Sequence, residues 1–265
     1  MPKRRKLVLK IILTAVLVSV LSAALLIRRQ LVVPVLMYHS VSPDARPENR
    51  LAVSADVFAQ QMRFLKEKNY NVIPLRELAL MIKEKKRIRP KTVAITFDDG
   101  HRDVYLYAFP QLLKYQLPAT MFVILNEVGR DQGDRFSWDD IIEMRESGLV
   151  DFGSHCLGPE PLVNLESDEE IVREIFGSKK LLEKMIARPV ELFSYPEGLF
   201  NDKIKLFVEQ AGYLGAVATS PGKNFANDDA FAIKRLRISP TSDNLFVFWI
   251  KLSGIYTFIK ERRDD

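Results

Sequence analysis

An α/β fold built on a parallel sheet or barrel is predicted by two regularities and one coincidence. From Leu31 onward, short apolar runs rich in β-formers alternate with amphipathic helical stretches. The apolar runs read as buried strands, and repeated βα units of that kind form parallel sheets or barrels. The coincidence is that the residues carrying candidate chemistry fall where those strands end. In α/β barrels, active groups gather at the carboxyl ends of the strands.

The elements follow in order. The first strand is read over 32–38. A helix over 54–68 has Ser54 as N-cap and Phe58, Met62 and Leu65 on one face. Residues 72–74 form a short strand, 75–85 a helix, and 83–89 a basic surface linker. A strand ending at Asp98-Asp99 leads to a helix over 103–115 and a strand over 119–124. A helix over 138–147 is ended by Gly148, and 150–154 is a strand. The long helix 168–185 carries Ile171, Ile175, Leu182 and Met185. A strand over 192–195, a helix over 201–211 with Gly212 as C-cap, and a strand over 215–218 complete the pattern. There is no internal repeat and no low-complexity segment.

Length and composition set bounds. The 265 residues suit one large α/β domain with appendages. With 47% apolar and 28% charged residues, and mean hydropathy near zero, the chain can bury a core and is not disordered. Net charge is +5, but much of the basic excess lies at the ends, in Lys3-Arg4-Arg5-Lys6, Arg28-Arg29 and the stretch 260–263. That distribution points to a membrane surface before nucleic acid, and no nucleic-acid-binding motif accompanies it. The single cysteine, Cys156, excludes an intrachain disulfide and is compatible with any compartment.

Residues 7–27 are apolar except for Lys10, Thr14, Ser19 and Ser22, about enough length to cross a bilayer as a helix. Lys10 lies near the start, where it can snorkel to the headgroups. The flank Lys3-Arg4-Arg5-Lys6 should stay cytoplasmic and place everything after Arg29 outside. A cleaved signal peptide is the competing reading, with Ser22-Ala23-Ala24 as a weak cleavage site. The expected organisation is a basic flank and single-pass anchor over 1–30, a barrel over 31–242 on the extracytoplasmic side, and an apolar or amphipathic C-terminal helix over 243–265.

The most informative stretch is Thr96-Phe97-Asp98-Asp99-Gly100, after the apolar run Thr92-Val93-Ala94-Ile95. Adjacent carboxylates repel unless a cation or a proton divides their roles. A turn at the strand end, with the freedom of Gly100, can aim both into one cleft. One carboxylate on a metal and the other as general base is the functional reading. An ordinary Asp-Gly turn after a core strand is the plain one.

Three stretches together resemble the polysaccharide deacetylase family, the NodB-homology carbohydrate esterases of family 4. They are 96–100, then Gly153-Ser154-His155 after a helix opened by Phe136-Ser137-Trp138-Asp139, then Tyr195-Pro196-Glu197-Gly198. The opening Pro34-Val35-Leu36-Met37-Tyr38-His39 and the phrase Leu117-Pro118-Ala119-Thr120-Met121-Phe122 resemble the branch acting on poly-N-acetylglucosamine. The resemblance covers about 33–238. It implies a distorted (β/α) barrel, a divalent metal (usually zinc), and hydrolysis of N-acetyl groups on an amino-sugar polysaccharide. It implies Asp98 as base, Asp99 and His155 as metal ligands, and His39 as general acid. Tyr195, Pro196 and Gly198 belong to the substrate-binding set, with a backbone N–H near Tyr195 for the oxyanion. Arg235 is placed in that set too, and with Arg237 it is similar to a late family arginine that orients Asp98. His101 is read as a surface residue at the cleft rim.

The chain departs from the family at the second motif. A second histidine is expected four residues after His155, and Pro159 stands there. Catalytic zinc sites normally hold three protein ligands, so the implied set is incomplete. Cys156 and Glu160 are the nearby candidates, the latter if the Gly158-Pro159 turn swings it in. The third motif lacks its usual arginine, with Phe193 and Ser194 in that neighbourhood. Two readings follow: an active membrane-anchored deacetylase with an altered metal site, or a weakened or inactive relative that binds polysaccharide. A third is an amide hydrolase acting on peptidoglycan. The tail over 244–260 is apolar and aromatic. It reads as a final helix packed on the barrel, or as an interfacial helix with Trp249 and Tyr256 at headgroup level.

Overall fold

The computed structural model describes residues 33–130, 133–219 and 229–253, together with Lys10, Leu13, Thr14, Val16 and Ser19. Strand β1 is Val35–Tyr38. A short parallel pair, β2 (Ser40–Ser42) and β3 (Ala52–Ser54), stands apart from the main sheet. Helix α1 (Ala55–Glu67) begins where expected, because the Ser54 hydroxyl accepts from the Val57 N–H. It buries Phe58, Met62 and Leu65, each contributing about 1.5–3 kcal/mol of burial free energy. Next come β4 (Asn71–Val72), α2 (Leu75–Lys83) and β5 (Thr92–Phe97). They are followed by α3 (Phe109–Tyr115), β6 (Ala119–Val123), α4 (Trp138–Glu146) and β7 (Val150–Ser154). Helices α5 (Asp168–Val172) and α6 (Ser178–Ile186) precede β8 (Leu192–Ser194). Helix α7 (Asp202–Gln210), β9 (Gly215–Ala218), β10 (Ile233–Lys234), β11 (Leu236–Arg237) and α8 (Leu245–Leu252) complete the chain.

Two helices read as continuous carry a π turn instead. Val104–Ala108 precedes α3, where Pro110 has no N–H to give to the preceding turn. Arg173–Gly177 joins α5 to α6.

All strand pairs are parallel, in the order β10-β9-β8-β7-β6-β5-β1-β11, with β4 added to β5. The two end strands are consecutive in sequence, with Arg235 alone between them. The sheet therefore curls until its edges meet at Arg235, which gives the distorted, nearly closed barrel that was expected.

Strand alternation sorts the side chains. Leu36, Tyr38, Ile95, Phe97, Met121 and Val123 pack outward with the helices. Val35, Ala94, Phe122, Leu192, Val217 and Ile233 form a second apolar cluster with Leu75, Leu78, Ala79 and Ile82 of α2. Helix α2 thus covers the end of the barrel where the strands start. Moving along the strands in steps of two from this cluster leads from Val35 to His39, from Ala94 to Asp98, from Leu192 to Ser194 and from Ile233 to Arg235. One parity therefore carries an apolar floor at one end and polar chemistry at the other.

The described part of the tail packs on the barrel. Phe248 and Leu252 of α8 are buried, and the Phe248 ring lies 6.0 Å from that of Phe64. Phe246 and Trp249 are exposed. The rest of the expected C-terminal helix, with Tyr256, lies outside the described residues. So does almost all of the expected anchor. Among the described residues no helix is long and apolar enough to cross a membrane.

Gly153 is required by the packing of β7. A Cβ there would meet the Phe122 ring at 2.4 Å and the Leu192 carbonyl oxygen at 2.8 Å. Gly153→Ala should cost about 1–3 kcal/mol through overpacking, read as a lower urea midpoint at unchanged m-value.

Candidate active site

Asp98 follows β5 at the polar end of the barrel and is only 3% exposed. An isolated buried carboxylate is costly, so it must be protonated or paired. It is paired: Arg235 Nη1 and Nη2 donate to its two oxygens, each at 2.6 Å. The bidentate fork is the geometry in which arginine best matches a carboxylate. Arg235 is itself buried, its Nη2 also donates to Ser194 Oγ at 3.0 Å, and its guanidinium lies 5.6 Å from the Phe122 ring centroid. Burial pushes the Asp98 carboxyl up, but Arg235 and then His155 pull it down, and the pull wins. Asp98 therefore sits below the usual carboxylate range.

Asp99 and Gly100 both adopt left-handed backbone, with φ of +69° and +68°. Aspartate tolerates that region better than most residues, and it is this turn that brings the second carboxylate toward the first. His155 follows β7, its N–H bonded to the Val123 carbonyl at 2.9 Å. Its Nδ1 lies 2.8 Å from the Ser194 carbonyl oxygen. Its Nε2 lies 3.5 Å from Asp99 Oδ1 and 4.0 Å from Asp98 Oδ2, where it attracts both carboxylates when the ring is protonated and is open to a cation when the ring is neutral. Burial opposes ionisation of Asp99, but His101 and the other imidazoles hold its carboxyl far below the ordinary range.

His39 follows β1 and is nearly buried, with Nδ1 buried and without a hydrogen-bond partner. Burial lowers its pKa, against the opposing pull of Asp98 and Asp99. His101 is not an idle rim residue. Its Nε2 lies 3.7 Å from Asp99 Oδ2, and Arg135 Nη1 stands 2.5 Å from its Nδ1. The sequence signal for it was its place two residues after Asp99.

The residues expected in the substrate-binding set occupy different environments. Arg235 points inward, to Asp98 and Ser194, and cannot also face a ligand with those nitrogens. Arg237 is exposed on β11. Tyr195 is fully buried and its hydroxyl donates to the Phe231 carbonyl at 3.0 Å. The Tyr195 N–H is spent on the Val217 carbonyl at 3.1 Å, so it is no oxyanion donor. Pro196 is buried, and Gly198 has φ +75° with Thr219 N only 2.5 Å from where a Cβ would stand. Gly198 is therefore needed for the tight turn.

Neither proposed substitute for the missing histidine reaches Asp99. Cys156 is fully buried in the core, where burial pushes its thiol well up. The following turn does not swing. Glu174, in the π turn between α5 and α6, accepts from the Leu157 and Gly158 N–H groups at 2.8 and 2.9 Å. Pro159 and Glu160 are exposed, and Glu160 Oε1 accepts from Asn164 at 2.6 Å. Asp99 and His155 fit two ligands of a divalent cation, with Ser194 orienting the imidazole as partners of metal-bound histidines do. Among the described residues no three His, Cys, Asp or Glu side chains converge on one ion position. Ser194 and Glu174 were not legible as site residues, because each acts through a neighbour.

Arg235→Ala should destabilise by about 3–5 kcal/mol, since it strands a buried charge. Asp98 has a folded pKa below its unfolded one. Its contribution is therefore present above about pH 4 and lost as pH falls through the lower folded value. Urea melts across pH 2–7 should show that acid-side slope in the parent and lack it in Arg235→Ala.

Comparison with known proteins supplies the family. Residues 85–216 match the family model for polysaccharide deacetylase. Bacillus subtilis YxkH, assigned to polysaccharide deacetylases by name, is 33% identical over 207 residues, 78% of this chain and 71% of that one. A Staphylococcus aureus poly-beta-1,6-N-acetyl-D-glucosamine N-deacetylase is 30% identical over 213 residues, 76% of this chain and 71% of its own. Streptococcus pyogenes deacetylase PplD, solved with acetate, superposes with TM-score 0.72 at 27% identity, covering 81% of this chain and 96% of that one. IcaB from Ammonifex degensii gives TM-score 0.72 at 28% identity, covering 82% and 96%. With a relative 33% identical over more than two thirds of both chains and a shared barrel fold, the chain belongs to the polysaccharide deacetylase family of hydrolases.

Proposed function

We propose that this chain hydrolyses N-acetyl groups on a poly-N-acetylglucosamine-type polymer. One observation carries the reading: Asp98 is a buried carboxylate kept ionised by Arg235, beside a second carboxylate and two imidazoles. Such a group can accept a proton at neutral pH without being exposed to solvent. In the reaction Asp98 takes a proton from water, whose oxygen attacks the amide carbonyl carbon. His39 gives a proton to the leaving nitrogen as the carbon–nitrogen bond breaks, releasing acetate and a free amine. Arg235 and Ser194 act on Asp98 and His155 as positioning residues. Asp99 and His155 would hold a divalent cation, zinc by family habit. Bound there, it would polarise the carbonyl and acidify the water. With Pro159 in place of a histidine, that cation would have two protein ligands rather than three. The substrate and the extracytoplasmic, membrane-anchored location rest on the relatives' names and on the apolar run 7–27.

Acetate release from N-acetylglucosamine oligomers and from peptidoglycan fragments tests the reading, with the former expected to be cleaved faster. Asp98→Asn should lower kcat about 10²–10⁴-fold per folded molecule, and because it strands the Arg235 guanidinium it should also lower the urea midpoint as Arg235→Ala does. No acetate from either glycan, with cation supplied, would overturn it. Because His39 must be protonated to act, kcat/KM should fall as pH rises through a value below about 6.5. His39→Ala should lose that limb. Pro159→His should retain cobalt through a chelator wash that strips the parent protein, read by metal analysis.

A further inference from the structure

The loop between α2 and β5 is the most strongly charged stretch of the described barrel. Over residues 83–91 it carries Lys83, Lys85, Lys86, Arg87, Arg89 and Lys91 against Glu84 alone. All seven side chains belong to exposed residues. Lys85 and Lys91 have positive φ, +52° and +59°, and Lys91 Nζ donates to the Lys68 carbonyl at 3.0 Å, so the loop has a defined shape. Helix-end electrostatics accounts for Lys83, in the last turn of α2, Lys86 pairs with Glu84 and Lys91 is tied to Lys68, but none of these accounts for Lys85, Arg87 and Arg89. None of them belongs to the catalytic end. The loop leads into the start of β5, at the end of the barrel covered by α2.

That end is also where the chain enters the barrel. All strands run in parallel, and β1 begins at Val35. Four residue steps separate Arg29 from Val33, a span of at most about 14 Å. If the run 7–27 crosses a bilayer, the strand-start end cannot stand far from its surface. A connection that short lets the loop's cations settle within the about 8 Å over which an anionic headgroup potential decays at physiological ionic strength.

We infer that the strand-start end of the barrel, through the basic loop 83–91, is a docking face for an anionic lipid surface. Docking there points Asp98 and His155 away from the bilayer. The inference rests on the membrane part of the proposed function. It goes beyond that reading by fixing which face meets the lipid, and by making the orientation depend on lipid charge.

The test uses the full chain in nanodiscs of phosphatidylglycerol and phosphatidylcholine, or of phosphatidylcholine alone. Lysines are labelled with an amine-reactive reagent and read by mass spectrometry. Lys85 and Lys86 should label about threefold more slowly in the anionic discs at low salt, and the difference should vanish at about 1 M salt. Lys203, at the catalytic end, should label equally in both. The variant Lys85→Glu/Lys86→Glu/Arg87→Glu, checked for an unchanged melting temperature, should leave Lys83 and Lys91 labelling alike in the two discs. Equal labelling of Lys85 and Lys86 in both discs would overturn the docking face. So would protection by soluble polyphosphate or RNA greater than that by anionic lipid, which would assign the loop to a polyanion instead. Failure of the chain to enter nanodiscs at all would refute the anchor, which the docking face presupposes. Acetate release is measured separately, so loss of the catalytic reading leaves this result standing.

Discussion

The fork of Arg235 on Asp98 is the interaction on which the rest of this molecule depends. It joins the last short strands of the barrel to the end of a central one, across the seam where the sheet's edges meet. It also settles the ionisation state of a carboxylate that has almost no access to water. A lone aspartate at that depth would be neutral and useless as a base; a lone arginine would be an equally costly buried charge. Paired, they are tolerable, and Ser194 extends the pairing. Its hydroxyl accepts from Arg235 while its carbonyl oxygen accepts from His155. The orientation of the imidazole and the charge of the carboxylate are therefore set by one connected group of side chains.

The barrel was legible in the sequence because buried parallel strands leave a strong signature. Val150–Ser154 and Gly215–Ala218 needed no correction, and Ser54 announced its helix by a cap the structure retains. The strands β10 and β11 were not legible. Each has two residues, too few for any periodicity, and they exist because the sheet closes around them. The same holds at the site. Asp98, Asp99 and His155 could be named because their chemistry is local to a motif. Arg235 was named both with the substrate-binding set and, beside Arg237, as an arginine orienting Asp98, and only the closed barrel shows that its guanidinium turns inward to Asp98. Ser194 and Glu174 were silent for the same reason. A serine carbonyl and a glutamate two turns into a helix acquire meaning only through what folds against them.

The loop after β7 shows how one such residue decides a question the sequence left open. Glu174 holds two consecutive amides of the turn, so the turn is rigid where flexibility was needed to bring Glu160 inward. Cys156 is closed off by burial rather than by distance along the chain. What remains around Asp99 is a histidine near each oxygen, one oriented by Ser194 and one pressed by Arg135. That arrangement stabilises the carboxylate strongly while offering a cation fewer donors than a closed catalytic site does.

Asp98, held by Arg235, stays ionised below the pH at which an ordinary aspartate takes up a proton. Carboxyl-carbon NMR of selectively labelled, chelator-treated protein follows that group directly. The Asp98 resonance should stay in its ionised position from pH 7 down past the ordinary carboxylate range near 4 and move only below it. A resonance that titrates at or above that range would contradict it, for then burial outweighs Arg235 and the barrel closes on a neutral acid.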